Sequence, residues 1–355
     1  MKNFILIAGL MFSFSMTAQT KVVKMNAVKS NNFGVAYSLP LTTFTIDAEV
    51  TKITSKAGPY YKYAEKYLGV KDVITEDKVV FQLDKVTLEN KGIPDKENSY
   101  MVEFKSGTTA PFVYLTEEGL ICSINAEVDE SIFSADSTKK KRVVPAGINS
   151  ASVLSEELLM AGSTAKQAEV AAKQIYRIRE SRLNILTGEA DNLPPDGDAM
   201  KLVIEQLEQQ EKALTNLFTG VVNKESLQKQ FTIQPTGNME KEILFRFSEL
   251  MGIVDADNLG GAPVYINLTA TEKAPVLDPK EAEKKLKNMK GIIYNLPGKA
   301  TIEIKMNNKT LYQGEHQVTQ FGSQESLAPS MFEDKKAPVK VYFYPQTGAI
   351  KQIIQ

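Results

Sequence analysis

The chain has 355 residues, of which 43% are hydrophobic and 24% charged; this balance excludes a disordered polymer and leaves length for two domains with cores of their own. Its 42 basic and 43 acidic residues give a formal charge of −1, so no global field draws it toward nucleic acid or an anionic membrane. A single cysteine and a single histidine exclude an internal disulfide and a zinc site of ordinary ligand composition.

Residues 1–18 read as a signal peptide. Lys2 supplies the positive start, and Phe4 to Phe14 form an apolar run of the right length, followed by small residues and a cleavage site placed after Ala18. No later apolar run approaches the ~18 residues of a membrane span. Residues 19–32 read as a linker. The chain is therefore expected to be exported.

Residues 33–150 read as an N-terminal β-rich domain with one short helix. Phe44, Ile46, Ala48 and Val50 alternate with Thr45, Asp47 and Glu49, the period of a strand with one buried face. Further strands are expected at 79–88, 100–104 and 112–115, and Glu117 to Gly119 form a turn into a strand carrying Cys122. The helix runs from Tyr60 to Leu68, with Pro59 at its start and Gly69 at its stop.

Residues 151–222 read as an antiparallel helical hairpin. Ala168, Ala171, Ala172, Ile175, Ile178, Ile185 and Leu186 keep one face of the first arm apolar, and Val203, Leu207, Leu214, Leu217 and Phe218 do so in the second. Gly188, Pro194, Pro195 and Gly197 mark the turn, with Asp196 or Asp198 as the cap of the second arm. A pivot near Leu193 brings Arg182 toward Glu205 and Arg179 toward Glu208.

Residues 223–355 read as a C-terminal β-rich domain that ends in a hairpin turning at Pro345 to Gly348. The fold class is therefore α+β: two β-rich, sandwich-like regions flanking a helical hairpin. One echo links the two regions. Gly34-Val-Ala-Tyr-Ser-Leu-Pro40 matches Gly291-Ile-Ile-Tyr-Asn-Leu-Pro297, although the strands that follow start one residue out of phase.

Catalytic patterns are sparse. His316 has no Gly-x-Ser-x-Gly partner element, and Ser-x-x-Lys recurs at Ser137, Ser163 and Ser226 without its companion motifs in order. Asp255 to Gly260 imitates the start of a calcium loop, but Ile266 stands where the bidentate glutamate belongs, so a turn is expected. No phosphate loop is present, and neither a metal nor a cofactor is expected.

The candidate binding residues are Tyr60, Tyr61, Tyr63 and Tyr67, because tyrosine joins apolar area to a polar tip. The alternative is that these rings pack the helix on a neighbouring sheet. Arg177 leads a run with Arg179 and Arg182 that serves either as ion-pair partner of an acidic second arm or as an anion- or partner-binding cluster.

Gly58-Pro-Tyr-Tyr-Lys-Tyr-Ala-Glu-Lys-Tyr-Leu-Gly69, Ile175 to Glu189, Leu217-Phe-Thr-Gly220 and Tyr294-Asn-Leu-Pro297 together resemble an uncharacterised family of exported Bacteroidetes proteins, DUF4831. The resemblance implies a Gram-negative envelope location, periplasmic or cell-surface, and brings no activity or ligand. The leading expectation is a non-enzymatic envelope protein that mediates protein–protein interaction or structural support. A glycan- or lipid-binding module and a carboxylate-dependent hydrolase are the alternatives. The partner would be another envelope protein or a glycan.

Overall fold

A computed structural model describes residues 21–24, 34–103, 112–127, 155–190, 197–332 and 339–355. The segment read as a signal peptide, the cap expected at Asp196 and the polar stretch 129–150 lie outside the described residues.

Two long hairpins dominate the molecule. Strand β2 (Gly34–Lys56) pairs with β3 (Lys78–Glu103), so the separate strands expected at 79–88 and 100–104 are one. The alternation of β2 is that of a one-sided strand: Phe44, Ile46 and Ala48 are fully buried and Val50 nearly so. The second hairpin joins β10 (Ile292–Met306) to β11 (Lys309–Leu327). Between them in sequence come β4 (Val113–Leu115), β5 (Ile121–Ile124), β6 (Val221–Ile233), β7 (Met239–Ser248), β8 (Gly252–Val254) and β9 (Ala262–Glu272). The C-terminus adds β12 (Lys340–Phe343) and β13 (Ile350–Ile354).

The expected division into separate N- and C-terminal β regions does not describe the pairing. One sheet has the order β1-β3-β2-β6, with β1 at Lys21–Lys24, a second β11-β10-β9-β7-β8 and a third β13-β12-β5-β4. Thus β6 joins the N-terminal hairpin, and β12 joins β5. The first two sheets face each other over a core of Phe44, Ile46, Phe245, Ile266, Ile302 and their neighbours. The far ends of the long hairpins close a second core against the third sheet, with Tyr37, Tyr100, Ile121, Ile293 and Val341 inside. Hydrophobic alternation says which face of a strand is buried but not which strand lies beside it, so sequence reading had no means to see this exchange. For the same reason Lys21–Lys24, in the segment read as a linker, is strand β1 on the edge of β3. Four residues are too few to show a period.

The helices form a third core. Helix α2 (Glu156–Met160) leads into α3 (Thr164–Thr187), and α4 (Gly197–Thr219) packs along it. Ala168, Ala171, Ala172 and Ile175 meet Leu214, Leu217 and Phe218; the small alanines let the backbones approach, whereas Leu186 and Val203, expected on the same apolar faces, are exposed because the packed core lies at the other end of the arms. Arg179 pairs with Glu211 at 2.6 Å, and Arg182 with Glu211 at 2.8 Å and Glu208 at 3.8 Å. The reversed order makes the arms antiparallel, but Arg179 meets a glutamate three residues later than expected, and Arg182 meets glutamates three and six residues later. Side chains lean toward the N-terminus of their own helix. In antiparallel arms that lean displaces the Cα positions of meeting tips in this direction.

Candidate functional site

The two long hairpins carry the same irregularity. In the first, Ser38 pairs with Ser99 and Pro40 with Pro94, so residues 95–98 stand opposite Leu39 alone. In the second, Leu296 pairs with Ser323 and Gly298 with Val318, so residues 319–322 stand opposite Pro297 alone. Proline has no N–H to give the ladder, and bulges are where strands tolerate it. The echo seen in sequence is thus a repeated device. Its phase differs, however: Tyr37 and Leu39 point into the core, whereas Asn295 is buried and Leu296 exposed in the second copy. A one-residue slip in a strand exchanges its faces.

Both excursions open onto one cleft of about 620 Å³. Asp95 and Asn98 come from the first, Thr319, Gln320 and Gly322 from the second, and Pro40 and Asn295 from the echoed segments. Helix α5 (Pro279–Asn288) forms the opposite wall. Sequence reading passed over this helix, though Asp278 caps it by accepting from Lys280 N at 3.0 Å and Pro279 takes its first turn. It buries no residue fully. Two contacts tie it down: Lys285 reaches Glu325 at 2.7 Å, and the segment leading to it donates from Ala274 N to Phe321 O at 2.8 Å. Leu277 and Leu286 remain 39% exposed toward the cleft.

The floor is held rigidly. Asn295 donates through Nδ2 to Pro40 O at 3.1 Å and Thr347 O at 3.0 Å. Gln320 donates to Thr42 O at 2.7 Å and accepts from Thr42 N at 3.2 Å. Tyr100 donates to Gln324 Oε1 at 3.1 Å, and burial pushes its phenol up to about 12. At Gly322 a Cβ would overlap the Leu296 carbonyl oxygen, so only glycine lets the excursion return so close to its partner. The rim carries Lys24, Lys285, Asp95 and Glu283, two charges of each sign. Asp95 accepts from Glu97 N and Asn98 Nδ2 at 2.9 and 2.7 Å, and Glu283 pairs with Lys287 at 2.7 Å. Both carboxylates thus serve local structure.

The tyrosines lie elsewhere. A 3-10 turn over Tyr61–Tyr63 leads into α1 (Ala64–Leu68), which Gly69 ends at φ 69°. The helix packs on the α3–α4 pair instead of a sheet. Tyr60 is buried against Phe218, their ring centres 5.5 Å apart, and its N–H donates to Leu217 O at 2.8 Å. Tyr63 and Tyr67 are half-buried side by side, and Tyr176 donates its hydroxyl to Tyr67 O at 2.8 Å. Tyr61 is half-buried under Lys62, and Arg177 is exposed on α3. None of these lines the cleft.

A family described as a domain of unknown function, DUF4831, matches residues 33–351. The chain belongs to the DUF4831 family. The match takes in every cleft residue except Lys24. No curated protein and no solved structure matches this DUF4831 chain. Among its described residues there is no cluster of three or more His, Cys, Asp or Glu side chains able to hold a metal, and no helix long and apolar enough to cross a membrane. Cys122 is buried in β5 and His316 sits in β11 against Tyr312 and Phe44. The cleft residues were missed because polar residues in an irregular strand have no period. The one available signal was the echo itself, whose Leu39, Pro40 and Asn295 all reach the cleft wall.

Proposed function

We propose that this chain is a non-enzymatic envelope protein whose cleft beneath α5 holds an extended polypeptide segment of another envelope protein. The observation that carries the reading is the cleft lining. It combines aliphatic side chains on the α5 side with neutral amides and hydroxyls on the sheet side, and among the described residues no aromatic ring lines it. A peptide offers both chemistries in alternation, apolar side chains and main-chain hydrogen-bonding groups, whereas a sugar ring calls for a flat aromatic surface. The volume falls in the range of ordinary binding sites. The apolar leader read at residues 1–18 supports the location.

The test is affinity capture of the tagged protein from cross-linked native envelope, counted by mass spectrometry, beside the cleft variants Leu286→Glu and Ser323→Trp. A stoichiometric protein partner that both variants lose, with unchanged melting temperatures, is the expected result. Recovery of this chain alone, under conditions that cross-link known neighbours, would overturn the reading.

A further inference from the structure

Strand β6 is an edge of unusual regularity. Its ladder with β2 runs for 13 residues, Val221 to Ile233, without a register shift, and its other side meets no strand among the described residues. Val221 to Gln230 are all exposed, and they include Val221, Val222 and Leu227. Natural sheets protect an edge with proline, a bulge, a short strand, charged side chains or a covering element; of these β6 carries charges, Lys224, Glu225 and Lys229, and they are of both signs. Here there is neither proline nor bulge, and the strand is long.

We propose that β6 is the seat of a second copy of this chain, paired antiparallel to itself about Leu227. The occupant follows from the residues. Phe231 and Ile233 turn toward the sandwich core, so the odd-numbered positions share the inner face. In full-length self-pairing centred on Leu227, the middle of the strand, each inner residue meets an inner residue of the other copy. Glu225 then stands opposite Lys229 twice, Val221 opposite Ile233 twice, and Leu227 opposite itself. On the outer face Lys224 meets Gln230 and Val222 meets Thr232.

Neighbouring registers that keep the same faces together lose this match. Shifting by one pair in either direction sets Leu227 against Glu225 or Lys229. A further shift sets Glu225 against Glu225, or Lys229 against Lys229. Opposite charges facing each other across strands favour a register and like charges oppose it. Within one chain Glu225 lies 3.9 Å from Lys52, and Lys229 lies 3.5 Å from Asp255 and over the Phe231 ring; both side chains stay exposed and so can meet a second strand. The product is a closed two-fold dimer with one continuous eight-stranded sheet, β1-β3-β2-β6 followed by its mirror order. This proposal is independent of the cleft, whose residues lie away from β6.

Sedimentation equilibrium over a concentration series reads the association directly. The wild-type protein is expected at twice the monomer mass. Glu225→Lys or Lys229→Glu alone should weaken the dimer at least tenfold, and the double exchange should restore it, while far-UV circular dichroism shows all three variants folded. On mild oxidation Leu227→Cys should give a disulfide-linked dimer, because the two copies of that position face each other at the axis within bridging reach. Val222→Cys, more exposed than Leu227 but opposite Thr232, should stay single, and the native Cys122 is buried. A monomer at all concentrations would overturn the proposal. So would a double exchange no better than the singles, or cross-linking of Val222→Cys as readily as Leu227→Cys.

Discussion

Tyr37 and Ile293, 256 positions apart, are joined twice. The Tyr37 hydroxyl accepts from Ile293 N at 2.9 Å and donates to Ile293 O at 3.2 Å. At this point β10 pairs with β11 on one side only, since its pairing with β9 begins at Lys299. One phenol thus stands in for a missing strand and locks the two echoed segments together. Desolvation raises its pKa far above the ordinary phenol value, so it stays a donor.

Tyr37→Phe leaves a buried N–H and C=O without partners while keeping the ring. The expected loss is about 1–3 kcal/mol, measured by urea denaturation. A change within error would show that water replaces the hydroxyl.

Tyr60 and Tyr61 are adjacent but in different environments. Tyr60→Ala removes a buried ring from the helical core and should cost about 3–5 kcal/mol. Tyr61→Ala, at a half-buried position, should cost well under half as much. Thermal melts of the two variants check the contrast, and equal losses would contradict the placement of this helix on Phe218.

Cys122 is enclosed in β5, and burial pushes its thiol up to about 12. In native buffer an aromatic disulfide reagent should label it only as fast as the protein opens. Adding urea to the midpoint should release one equivalent of thiol. Rapid native labelling would place the thiol at the surface.

His316 has its pKa lowered by burial beside Tyr312 and Phe44. The folded state therefore favours the neutral ring, and the unfolded state takes up a proton first as pH falls. Its contribution to stability is complete above about pH 6.5, the ordinary histidine value. It declines as pH drops from there through the lowered folded value. As the chain has one histidine, its imidazole proton resonance can be followed without assignment. A midpoint at or above the ordinary value would contradict the burial, and His316→Gln should flatten the stability profile in that window.

The β-rich character, the helical pair and the turns at Glu117 to Gly119 and Pro345 to Gly348 were legible because each rests on local rules. Period two buries Phe44, Ile46, Ala48 and Val50 on one face, period 3.6 does the same for Ala168, Ala172 and Ile175, and glycine ends α1 and α3 where φ is positive. The sequence also held the echo that marks both bulges. What it did not hold was adjacency. That β6 lies beside β2, that β12 lies beside β5, and that Asn98 and Gln320 face one cleft under α5 are decided by pairings between residues far apart in sequence. A strand's alternation specifies its buried face, while its neighbour is selected only when whole hydrophobic surfaces are matched in the folded chain.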